Sequence, residues 1–115
     1  MRGAALLALL ALASPAGAQE DVATLRLATC AALWQGYADV LGDDGERALA
    51  ARFRDAAARI GGEAEADALI AERRPWMADL MVAYVHDQDR QSRELFERLV
   101  TDCGPLEADL PLVGG

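Results

Sequence analysis

The stretch Ala28–Gly42, ATCAALWQGYADVLG, carries a cysteine, a tryptophan and a tyrosine at helical spacing. Extended upstream, its apolar positions are Ala23, Leu27, Cys30, Trp34, Tyr37 and Leu41. They alternate steps of four and three, the spacing of one buried face of an α-helix. Asp21 or Thr24 is the expected N-cap of this first helix. Gly42-Asp43-Asp44-Gly45 then reads as a turn.

The same arithmetic gives three more helices. Asp43 or Asp44 caps the second, whose expected stripe is Leu49, Phe53, Ala56 and Ile60. Gly61-Gly62 ends it, because glycine takes the left-handed conformation that closes a helix. The third begins near Glu63, with Ala66, Leu69, Ile70, Met77, Leu80, Met81 and Tyr84 facing inward. Pro75 should kink or break it, since proline lacks the N–H and crowds the preceding turn. Residues 86–94, HDQDRQSRE, hold no apolar side chain and read either as a break capped by Asp87 or Asp89 or as the exposed middle of one long helix. A compact domain must fold back to bury the last helix, which favours the break. The fourth helix carries Leu95, Phe96, Leu99, Val100 and Cys103, and Gly104-Pro105 should stop it. From about residue 104 the chain should be an irregular tail.

No strand-type alternation is present. Four helices with short connections imply an all-α, antiparallel, up-down-up-down bundle. That topology sets the start of the first helix beside the end of the fourth, and so brings Cys30 near Cys103.

The N-terminus, MRGAALLALLALASPAGAQE, has the parts of a secretory signal peptide in order. Arg2 is a short positive region, Ala4 to Ala13 an apolar run, Ser14-Pro15 a break and Ala16-Gly17-Ala18 a small-residue cleavage site. The run is far shorter than the ~20 apolar residues of a membrane span. Residues 1–18 are therefore expected to be removed, leaving a single helical domain from Gln19 to Gly115 with no transmembrane anchor. The location is periplasmic or secreted.

Export frames the cysteines. Oxidising compartments favour disulfides, and Cys30 and Cys103 allow one intramolecular pairing. Neither C-x-x-C-H nor C-x-x-C is present, which excludes the usual haem-attachment and thioredoxin-like patterns. Two cysteines and the single His86 fall short of the four ligands of a structural zinc site. The bridge closes a loop of about 70 residues, worth roughly 4 kcal/mol in the chain-entropy account.

Without Arg2 the chain has ten arginines and no lysine against 19 Asp plus Glu, a net charge of −9. This acidity repels nucleic acid and anionic membranes. Alanine is abundant, so the core should be thin.

Other polar clusters have plain readings. His86-Asp87-Gln88-Asp89 suits a solvated helix end better than a metal site. Asp43-Asp44-Gly45-Glu46 lacks the ligand order of an EF-hand. Glu72-Arg73-Arg74 reads as a solvated face, and Asp39 and Asp79 do not form a recognisable acid/base pair. Trp34, Tyr37, Trp76, Met77, Met81 and Tyr84 could either fill the core or line an apolar cavity. No triad order, nucleophile elbow, P-loop or dinucleotide fingerprint appears. The expectation is a non-enzymatic binding or structural module without cofactor or metal. Its partner would be an envelope protein or a small apolar ligand. The alternative is a chaperone-like envelope stress protein.

Overall fold

Alternating steps of three and four place the apolar side chains of each segment on one helical face, and four helices form among the described residues. The computed structural model describes residues 2–110, with side chains from Gly17 onward. The elements are α1 (Arg2–Leu41), α2 (Asp44–Gly61), α3 (Glu63–Val85) and α4 (Arg90–Glu107). The apolar run Ala4–Ala13 and the Ser14-Pro15 break have side chains outside the described residues, as does the whole of segment 111–115.

Pairwise contacts fix the topology. Gly42 joins α1 to α2, and Gly61 at the far end of α2 meets Thr24 of α1. α2 therefore runs back along α1. Farther along α1, Gly36 meets Met77 of α3, so α3 runs with α1 and against α2. Cys30 is bonded to Cys103 of α4. Moving back along α4 from Cys103 to Phe96 moves the contact forward along α1 to Trp34 and Tyr37. Consecutive helices run in opposite directions, while α1 and α3, which also pack on each other, run the same way.

Two connections are built by capping. The Asp43 carboxylate accepts the Gly45 N–H at 2.8 Å and starts α2. Asp89 accepts the Ser92 N–H at 2.9 Å and starts α4, confirming the break after α3. Between α2 and α3 only Gly62 intervenes, at φ +92°, where a Cβ would be strained.

Four expectations are corrected. Asp21 and Thr24 cap nothing: both lie inside α1, and the buried Thr24 hydroxyl donates to the Glu20 carbonyl. Pro75 does not break α3. Pro75 and Ala71 are both exposed, so water can reach the carbonyl that loses its N–H partner. Gly104-Pro105 does not stop α4, which runs to Glu107. Glycine has no Cβ to crowd the proline ring that follows, and the extra length carries Leu106 and Leu110 onto the core. The fourth concerns α2. Its buried residues are Ala50, Phe53 and Ala57, a stripe turned away from Leu49 and Ala56, while Ile60 is 42% exposed.

The core is made of small side chains. Ala28, Ala31, Ala32, Ala38, Ala50, Ala57 and Ala66 are buried around Leu33, Phe53, Met77 and Met81. Small residues let helix backbones approach closely. At Gly36 a Cβ would lie 3.2 Å from the Met77 backbone, and at Gly61 one would lie 2.6 Å from Thr24.

Candidate functional site

The cysteines bond as the topology required. The Cα atoms are 5.8 Å apart, within ordinary disulfide reach. Both residues are almost fully buried, at 3% and 2% exposure. The bond ties α1 to α4 within the main core cluster, which also holds Leu33, Phe53 and Met77. It is a structural link inside the core.

The aromatic set splits. Met77 and Met81 are plain core. Trp34, Tyr37 and Tyr84 pack against Phe96, with ring centroids 5.1–6.4 Å from it. Trp34 Nε1 is buried with no hydrogen-bond partner. Trp76 is 47% exposed and belongs to neither group.

The polar clusters are used as structure. His86 sits exposed at the end of α3, and Asp89 is held by Ser92. Among the described residues no group of three or more His, Cys, Asp or Glu side chains is placed to hold a metal. In α2 the capping carboxylates share a hydrogen bond, which raises the Glu46 pKa and lowers that of Asp43. Asp39 accepts hydrogen bonds from Gln35, Arg47 and Arg74, joining α1 to α2 and α3. Burial works to raise its pKa, but those three bonds together hold it below the usual carboxylate range. The Glu72-Arg73-Arg74 run is therefore more than a solvated face. Arg74 reaches Asp39, 35 residues away in sequence, which local pattern cannot reveal.

One concave surface has the make-up of a ligand site. It lies beside the disulfide, where α1, α2 and the end of α4 converge, and encloses about 320 Å³. Each of the three segments supplies residues at i, i+3 and i+4. α1 gives Ala23, Arg26 and Leu27; α2 gives Ala56, Arg59 and Ile60; the third gives Leu106, Asp109 and Leu110. The middle residue is charged every time and the outer two are apolar. The result is an apolar trough carrying two guanidinium groups and one carboxylate. A trough with a few placed polar groups is the usual form of a small-ligand site, though this volume is near the lower end of the range, about 300–1,000 Å³.

Sequence reasoning did not assemble this groove. Periodicity puts Ile60 in the core, Arg26 and Arg59 belong to no motif, and Leu106, Asp109 and Leu110 fall in the expected tail. The repeated i, i+3, i+4 spacing was present in the sequence. Which faces converge depends on how the helices pack.

No protein-family model, curated protein or solved structure matches the chain.

Proposed function

We propose that this chain is a small exported protein, locked by one disulfide, that acts by binding a small apolar ligand and not by catalysis. The apolar groove beside the Cys30–Cys103 bond carries this reading. It favours a small ligand over an envelope protein, because a concave groove of about 320 Å³ is the size of a small molecule.

Export is supported from two sides. A buried disulfide is characteristic of oxidising compartments. Among the described side chains, residues 17–22, which span the expected cleavage site, are all exposed, and Thr24 is the first buried one. Among the described residues no helix is long and apolar enough to cross a membrane. Intact mass of protein recovered from its secreting cell should show Gln19 at the N-terminus and two fewer hydrogens than the dithiol. Retention of residues 1–18 would contradict export with processing.

Binding is tested with a neutral apolar fluorophore, N-phenyl-1-naphthylamine. It should brighten with the wild-type protein and lose most of that response in Ile60→Glu. Ile60 is already partly exposed, so the fold should tolerate the change. Val82→Glu, also exposed but away from the groove, is the control. Equal responses in all three proteins would remove the groove as the binding surface.

A further inference from the structure

The two arginines of the groove differ from most others in the chain. Arg47, Arg54, Arg73, Arg74, Arg90 and Arg93 all lie within ion-pair distance of a carboxylate. Arg26 and Arg59 enter no hydrogen bond or ion pair among the described residues. Yet the chain has a net charge of −8, so acidic partners are plentiful. Two unpaired guanidinium groups on one apolar trough are a local positive site on an acidic protein.

The two are not equivalent. Arg59 lies in the last turn of α2, where the negative end of the helix dipole already balances part of its charge. Arg26 lies in the first half of α1 of the processed chain, seven residues after Gln19, where the helix dipole gives a cation no such compensation. Asp109 on the third segment opposes both.

Granting that the groove is the binding surface, we infer that its ligand is a single-chain amphiphile with a carboxylate head. The acyl chain lies over Leu27, Ala56, Ile60, Leu106 and Leu110. The head group takes charge-assisted hydrogen bonds from Arg26 first and Arg59 second, and guanidinium suits a carboxylate by geometry as well as by charge. A cavity of about 320 Å³ matches one chain and not a two-chain lipid. An amphiphilic cation is disfavoured because two of the three charged groups would repel it.

Calorimetric titration of the exported protein with decanoate, decanol and decyltrimethylammonium tests this below their aggregation concentrations. Decanoate should bind at least about tenfold more tightly than the other two. Raising the salt should weaken decanoate binding and leave decanol nearly unchanged. Arg26→Ala should cost about tenfold in decanoate affinity, and Arg59→Ala about threefold. Asp109→Asn should strengthen decanoate binding, a sign that lost packing would not produce. Arg98→Ala, outside the groove, should change nothing.

Decanol binding as tightly as decanoate would overturn the carboxylate assignment and leave the groove as a site for neutral ligands. Failure of all three probes, with N-phenyl-1-naphthylamine also unbound, would overturn both readings. Two other occupants have their own signatures, and either would overturn the inference. Light scattering that shows decanoate splitting a dimer would mean a second copy covers the groove. An increase in affinity for decanoate and decanol alike in Leu112→Asp would mean the chain's own C-terminal segment covers it.

Discussion

The seam of α1, α2 and α3 and the attachment of α4 are held by different means. In the seam, alanines and Gly36 bring backbones together, and cohesion comes from many short contacts between small groups. In α4 the only buried residue is Cys103; Leu95, Phe96, Leu99 and Val100 are half-buried. That helix is held by aromatic rings and one covalent bond. A shape-matched seam is sensitive to added volume. A tethered helix is sensitive to losing the tether or the rings.

Cutting the tether should have the largest effect. Cys30→Ser and Cys103→Ser should each lower stability by roughly 4 kcal/mol, and the double variant should be little worse. Denaturant melts measure this. Hydrogen exchange on the same variants should show α4 losing protection before α1–α3. A simultaneous loss in all four helices would erase the distinction between seam and tether.

The rings come next. Trp34 is half-buried against Tyr37 and Phe96, so Trp34→Ala should cost about 3 kcal/mol, the lower end for core aromatics. Trp76→Ala, at an exposed position, should cost less than about 1 kcal/mol. Trp34→Phe sharpens the point, since it removes the unpaired Nε1–H and should be milder than Trp34→Ala. Equal losses at positions 34 and 76 would count against the ring attachment.

A volume test probes the seam. Gly36→Val should cost about 1–3 kcal/mol, because its Cβ would press on the Met77 backbone and not on a flexible side chain. A neutral result would show that α1 and α3 can separate without penalty.

The smallest effect is electrostatic. Asp39 has a lowered pKa in the fold, so its contribution is fully present above the unfolded value of about 3.9. It is lost as pH falls through the lower folded value. Asp39→Asn should cost no more than about 1 kcal/mol at pH 7, given its exposure, and nothing once the wild-type carboxyl is protonated. Melts at pH 7 and pH 2 compare the two. A difference that persisted at low pH would assign the effect to packing.

Helix number, the start of α2 and α4, and the all-α class were legible because each rests on local chemistry. Asp43 and Asp89 cap through atoms two or three residues away. The stripe of α3 needs no partner to define its period. The disulfide was legible for a less local reason. Two cysteines behind an apparent export signal allow one pairing, and up-down order puts them near the same end.

Tertiary structure decided the rest. Rotation of α2 about its axis exposed Ile60 and buried Ala50 and Ala57, since alanine stripes carry too little contrast to fix a face. Pro75 and Gly104-Pro105 were tolerated inside helices because the exposed carbonyl of Ala71 can be hydrated and because Gly104 has no Cβ. The Asp39–Arg74 pair and the three-sided groove join residues far apart in sequence. Sequence alone determines what each helix is, because capping and periodicity act over one or two turns. Which faces meet, and what hollow they leave, depends on how small side chains fit across helices, and only packing in three dimensions selects that.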